Sequence, residues 1–159
     1  MNIDIINEGL DLNDDGIEFE GDGIVYNDEL YTGIGYTLYN NGNLRTLAYY
    51  KDGFAFGICR SWYDDGQLSK EIELIHGQAN GKETKWYHNG RIKSIAIYEF
   101  GIEVEYKKWD EEGVLCVSRT IDQNDSKGWY PHILKMREWN KGRYDNDLAF
   151  VLERVKDIF

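Results

Sequence analysis

Gly33-Ile-Gly-Tyr-Thr-Leu-Tyr-Asn-Asn-Gly42, Gly57-Ile-Cys-Arg-Ser-Trp-Tyr-Asp-Asp-Gly66 and Gly81-Lys-Glu-Thr-Lys-Trp-Tyr-His-Asn-Gly90 are three readings of one pattern. The opening glycines stand 24 residues apart, and so do the closing ones. A fourth copy, Trp109-Asp-Glu-Glu-Gly113, follows after 23. A second glycine series, Gly53, Gly77 and Gly101, keeps the step of 24, with Glu29 where its earlier member would stand. Several registers agreeing at once define an internal repeat, and a period of this length belongs to stacked supersecondary units.

The turns give each unit its form. Asn41-Gly42, Asp65-Gly66 and Asn89-Gly90 are dipeptides favoured in type I′ hairpin turns, where both central residues need positive φ. Asp52-Gly53 and His76-Gly77 mark the opposite turns, with strand-length segments between. After each closing glycine, apolar residues recur at even spacing: Leu44, Ala48 and Tyr50; Leu68, Ile72 and Leu74; Ile92, Ala96 and Tyr98. That spacing puts each set on one strand face. Leu38, Trp62, Trp86 and Trp109 form a further column just before the turn. The expected fold is mainly β: an elongated antiparallel β-meander of 24-residue hairpin repeats with a C-terminal capping helix. Roughly eight strands at about 4.8 Å spacing make it about 40 Å long.

One domain over residues 1–159 is expected. Residues 1–24 form an acidic N-terminal cap hairpin, 25–115 the repeats, and 116–159 a strand and helix cap for the sheet edges. In the last segment Leu148, Val151, Leu152, Val155 and Phe159 follow helical spacing, with Asp145 or Asn146 placed to cap. The stretch 114–143 reads as one or two more strands, a loop around Asp122–Gly128, and Pro131.

Charge narrows the partners. The chain carries a net charge of −11, and residues 1–44 hold ten acids and no Lys or Arg. Nucleic acid and anionic membrane are disfavoured, because phosphate contacts need basic side chains. A basic protein surface is the complementary partner. The N-terminus lacks the basic and apolar regions of a secretory signal, and no run reaches the roughly 18 apolar residues of a membrane span. Cys59 and Cys116 are isolated and read as reduced thiols. A cytoplasmic location follows.

The recurring Gly-x4-Trp/Tyr-Tyr-x-Asn/Asp-Gly-x-Leu/Ile over residues 25–115 resembles the MORN-repeat variant of bacterial YwqK-type antitoxin proteins. The resemblance implies an antiparallel meander and an antitoxin or immunity role, in which a cognate toxin is neutralised by binding. Val104 departs from the pattern where an opening glycine is expected. The acidic and C-terminal ends lie outside the motif.

Chemistry-bearing groups are few. Asp11-Leu-Asn13-Asp-Asp15-Gly16 matches the opening of a calcium loop. However, Glu18 occupies the usual hydrophobic position, Asp22 the usual glutamate, and the flanks read as strand; the turn of the repeat accounts for the Asp-Gly. Cys59 with His76 is the one nucleophile–base pairing to consider, but Cys59 occupies the column of Gly35 and Glu83. His88 shares its column with Asn40 and Asp64 and reads as a turn residue. No catalytic residue, metal ligand or cofactor is assigned. Tyr39, Tyr63 and Tyr87 alternate with the tryptophan column, so they are expected on the opposite side as an aromatic stripe, which either packs against the C-terminal segment or, left exposed, marks an interface. The partner-binding set is therefore Asp11, Asp14, Asp15, Glu18, Glu20, Asp22, Tyr39, Tyr63 and Tyr87. A scaffold binding several proteins is the alternative function.

Overall fold

Two kinds of turn alternate along the chain, and they build the sheet. The computed structural model describes residues 8–20 and 23–143. Its strands are β1 (Leu10–Asp11), β2 (Ile17–Glu20), β3 (Gly23–Tyr26), β4 (Glu29–Leu30), β5 (Gly33–Leu38), β6 (Leu44–Lys51), β7 (Phe54–Trp62), β8 (Leu68–Ile75), β9 (Gln78–Trp86), β10 (Ile92–Glu99), β11 (Ile102–Trp109) and β12 (Leu115–Thr120). A helix, α1 (Tyr130–Asn140), follows. Strands β5 to β12 form an uninterrupted antiparallel meander, and β1 joins it in parallel beside β5. Strands β2, β3 and β4 make a separate sheet. The meander is not closed into a barrel, so the expected mainly-β architecture is the observed one.

The type I′ geometry sits at the second glycine series, not at the Asn-Gly turns. Asp52-Gly53, His76-Gly77 and Phe100-Gly101 all have positive φ at both residues, between 48° and 84°. Asn27-Asp28 does the same, one residue early, so Glu29 escapes that requirement. Asn41, Asp65 and Asn89 have no positive φ; only the following glycine does. Their turns are wider. Gly42 N–H donates to the Tyr39 carbonyl at 2.9 Å, and Tyr39 N–H to that of Asn43 at 2.8 Å. The Asn or Asp is selected by its side chain instead. Asn41 Oδ1 accepts from Asn43 N–H at 3.0 Å, Asp65 Oδ1 from Gln67 at 2.9 Å, and Asn89 Oδ1 from Arg91 at 2.9 Å.

Each hairpin is stitched to its neighbour along both borders of the sheet. On the type I′ border, Gly53, Gly77 and Gly101 N–H groups donate to the carbonyls of Tyr31, Ala55 and Ala79, all at 2.8 Å. Thr32 Oγ1 and Asn80 Oδ1 add bonds from Asp52 and Phe100 N–H. On the other border the hydroxyls of Tyr39, Tyr63 and Tyr87 donate to the carbonyls of Trp62, Trp86 and Trp109 at 2.8, 2.7 and 2.9 Å.

A wide bulge recurs where Gly57 and Gly81 stand. Between the pairs Leu47–Arg60 and Tyr49–Phe56, one residue of β6 opposes three of β7, and the same happens between β8 and β9. Gly81 takes φ 122°, and a Cβ there would run into the Glu73 side chain. The last repeat has Val104 instead, and its bulge is smaller: between the pairs Ile97–Glu105 and Tyr98–Glu103, Val104 alone is extra. The missing residue of the 23-residue step is the residue missing from that bulge.

Little of the sheet is sealed from water. Among the described residues the buried hydrophobics include Tyr36, Leu47, Tyr49, Phe56 and Ile72, and only Phe56 and Ile133 are large side chains almost fully covered. Register shifts also break the expected one-face sets. Leu44 pairs with Leu38, and its neighbour Thr46 pairs with Thr37, so Leu44 does not follow the alternation of Ala48 and Tyr50.

The ends depart from simple hairpin extension. The N-terminal part supplies a parallel strand, because the chain between β1 and β5 is long enough to return in the same direction. That stretch holds the small sheet, which docks on the Gly53 turn: Ile24 N–H donates to the Gly53 carbonyl at 2.8 Å. At the other end the stretch 114–143 gives one strand and then α1. Pro131 falls in the first helical turn, where its missing N–H costs nothing. The helix expected from Leu148 to Phe159 lies outside the described residues.

Two stability outcomes follow. Tyr63→Phe removes one border bond and lowers unfolding free energy by about 1 kcal/mol in urea titration, with far-UV circular dichroism unchanged. Gly101→Ala, in open space at φ 79°, costs about 1–2 kcal/mol from the left-handed backbone alone. In the same assay Gly81→Ala costs more, because the collision with Glu73 adds to the strain.

Candidate functional site

The acidic residues occupy one end of the meander. Asp11 lies in β1 beside Tyr36, half-buried. Its Oδ1 accepts from Asn13 N–H at 2.9 Å and from Asn13 Nδ2 at 3.0 Å. Asp14 Oδ1 accepts from Gly16 N–H at 3.4 Å. Asp14, Asp15, Glu18 and Glu20 are exposed, and among the described residues no ion pair engages them. Desolvation, and then the charge of Asp11, push the Tyr36 phenol upward. Asp22 lies outside the described residues. Among the described residues no three His, Cys, Asp or Glu side chains gather as metal ligands, and the calcium-like string is flanked by β1 and β2, not helices.

The tyrosines form a row along the Asn/Asp-turn border. Each is half-buried, and each spends its hydroxyl on the next repeat, as described above. The ring faces also have company. Arg45 lies 5.7 Å over Tyr39 and Lys93 5.3 Å over Tyr87. The His88 ring stacks on Tyr63 at 3.6 Å between centroids, with its Nδ1 3.4 Å from Asp65 Oδ2. Desolvation and the Glu111 charge push the Tyr87 phenol upward. One repeat is two strand spacings, so the tyrosines stand at successive steps of roughly 10 Å along the border. Tyr39, at the end of the strand paired with β1, is the tyrosine nearest the acids; Tyr63 and Tyr87 lie successively farther along the border.

Cys59 and His76 are not brought together. Cys59 pairs with Ile72, while its neighbour Arg60 pairs with Leu47 and Phe56 with Tyr49. Cross-strand partners share a face, so Cys59 lies on the face opposite Phe56. The His76 ring packs 5.6 Å from Phe56 and 5.8 Å from Phe54. Burial pushes the Cys59 thiol up, with Lys70 as a smaller opposing influence. A thiol so placed is a poor nucleophile.

A charged cluster escaped the sequence reading. Glu83 has a side chain only 6% exposed, with Lys85 Nζ at 2.9 Å and Lys70 Nζ at 3.4 Å. Burial lowers the Lys85 ammonium, but the hydrogen bond and charge of Glu83 outweigh it, and the net shift is upward. The signal was present in register: Lys70 pairs with Lys85, and Ile72 with Glu83. Reading it required knowing where the bulge falls. Removing either lysine leaves a buried carboxylate less compensated, so the cluster ties β8 to β9.

Apolar pairs close every Asn/Asp-turn hairpin: Leu38–Leu44, Trp62–Leu68, Trp86–Ile92 and Trp109–Leu115. They realise the expected ladder and remain partly open to solvent, most of all at the last repeats, where Ile92 is 40% and Leu115 51% exposed. Trp129, Leu134 and Trp139 on and beside α1 are exposed as well. No described helix is long and apolar enough to cross a membrane.

Among curated proteins none matches the chain. The MORN repeat variant model matches residues 57–76 and 79–99, which are the successive hairpins β7–β8 and β9–β10, and MORN repeats are in general protein-interaction repeats. Over these two hairpins the chain is therefore similar to MORN-variant repeats.

Proposed function

We propose that the chain is a non-catalytic protein-binding module that neutralises a cognate toxin by direct contact, with its acidic end facing a basic surface on the toxin. The observation that carries this reading is the charge asymmetry. Ten acids and no Lys or Arg occupy residues 1–44, and Asp14, Asp15, Glu18 and Glu20 project into solvent. Such a field raises the rate of encounter with a basic partner. The row of Tyr39, Tyr63 and Tyr87 beyond it supplies aromatic area for the lasting contact. Binding energy at interfaces concentrates in such side chains. The tyrosines contribute ring edges, since their hydroxyls stay with the carbonyls of the neighbouring repeat.

The test begins with a tagged pull-down from the native bacterium, with the adjacent gene product co-expressed as bait. One stoichiometric partner, toxic alone and harmless with this chain, is the expected outcome. Several weak partners would favour a scaffold instead. On the purified pair, Asp14→Lys, Asp15→Lys, Glu18→Lys and Glu20→Lys together lower the association rate at least tenfold at low salt and flatten its salt dependence, as read by stopped-flow. An unchanged rate would remove the electrostatic part of the proposal.

A further inference from the structure

The two ends of the meander are finished differently. At the first end β1 lies against β5, and Leu12 N–H extends that pairing to the Tyr36 carbonyl at 2.8 Å. At the last end β12 is the outermost strand among the described residues, and Cys116, Ser118, Arg119 and Thr120 are exposed. The direction of its free hydrogen-bonding groups follows from one bond. Ile121 N–H donates to the Val104 carbonyl at 2.8 Å, and the pairs Tyr106–Arg119 and Lys108–Val117 continue the same register. Antiparallel pairs alternate between bonded and non-bonded. Arg119 and Val117 therefore bond inward to β11, and the N–H and C=O groups of Ser118 and Thr120 point outward.

Protein edges are normally guarded by Pro, Lys, bulges or covering segments. Leu115-Cys-Val-Ser-Arg-Thr120 has no Pro and no Lys, and its bulge, at Cys116 between the pairs Lys108–Val117 and Trp109–Leu115, lies at its start and leaves Val117–Thr120 regular. Its single charge is turned back onto its own sheet: Arg119 makes two hydrogen bonds to Glu103, at 2.7 and 3.1 Å, and lies 4.2 Å over the Tyr106 ring. Val114 and Leu115, beside this edge, are 61% and 51% exposed.

We propose that β12 is the pairing edge for a second copy of this chain, two β12 strands meeting antiparallel about a two-fold axis at Ser118. Head-to-tail addition is obstructed by β1, so the symmetric pairing is the one that closes. In this register Ser118 faces its own counterpart, and the outward groups meet as bonded pairs. Val117 then opposes Arg119 of the second copy. A register centred on Arg119 would set two guanidinium groups face to face and is disfavoured. The acidic ends do not oppose the pairing. Seven strand spacings separate β5 from β12, roughly 35 Å, several Debye lengths at physiological salt.

Light scattering on the full chain at tens of micromolar tests this. The expected mass is twice the 18.6 kDa of one chain. Ser118→Pro halves that mass while leaving circular dichroism and melting temperature near wild type, because proline is tolerated where the N–H faces outward. Ser118→Cys in a Cys116→Ser background yields a disulfide-linked dimer on mild oxidation, since bonded antiparallel pairs have the Cα separation a disulfide needs. A monomeric wild-type chain overturns the proposal, and so does a folded Ser118→Pro variant that stays dimeric. Should that variant lose its fold, failure of the cysteine variant to cross-link overturns it equally.

Discussion

Everything in this sheet depends on how a turn is tied to the hairpin next to it. A sheet with few sealed side chains cannot draw its stability from a thick core, so its repeats have to hold one another by directed bonds. The glycine N–H groups on one border and the tyrosine hydroxyls on the other do that work at a step of 24 residues. The ladders between strands fix neighbours locally. The border bonds add a second connection, from each turn to the hairpin beyond. A turn held at its tip keeps its strands in register, and register decides which side chains share a face. The alignment of the Trp62, Trp86 and Trp109 pairs is a product of that tie.

The repeat itself was legible because its turns need particular chemistry. Glycine is forced at Gly53, Gly77 and Gly101 by positive φ, and a forced residue recurs visibly. The assignment of turn types was reversed in part for an equally physical reason. Asn41, Asp65 and Asn89 look like residues chosen for a left-handed backbone, yet they are chosen for a side-chain oxygen that accepts from the residue two places on. Both demands select Asn and Asp before Gly, so composition cannot separate them. The bulges at Gly57 and Gly81 were invisible as such, and with them went the correct faces of Leu44 and its equivalents. Helix α1 was missed because Ile133, Leu134, Met136 and Trp139 do not gather in one stripe.

The candidate binding residues illustrate the same limit. The acidic segment could be read directly, since charge is a property of composition and its exposure followed. The tyrosines were recognised as a column, but their bonds to Trp62, Trp86 and Trp109 carbonyls span about one repeat and appear only once the hairpins are stacked. A residue can therefore serve the array and a partner at once: the hydroxyl faces inward to the neighbour while part of the ring remains open. The Glu83 cluster stayed hidden because it joins two strands, β8 and β9, whose offset depends on a bulge.

The border bonds all join residues about 20 to 24 positions apart, and nothing in the meander needs a contact between distant repeats. The molecule is thus nearly one-dimensional in its energetics. A whole repeat could be duplicated or deleted in the gene, and each remaining hairpin would find the same neighbour it has now. Length then becomes an evolvable dimension that can change without redesigning either end, so that the span of the sheet can be matched to the size of whatever lies across it.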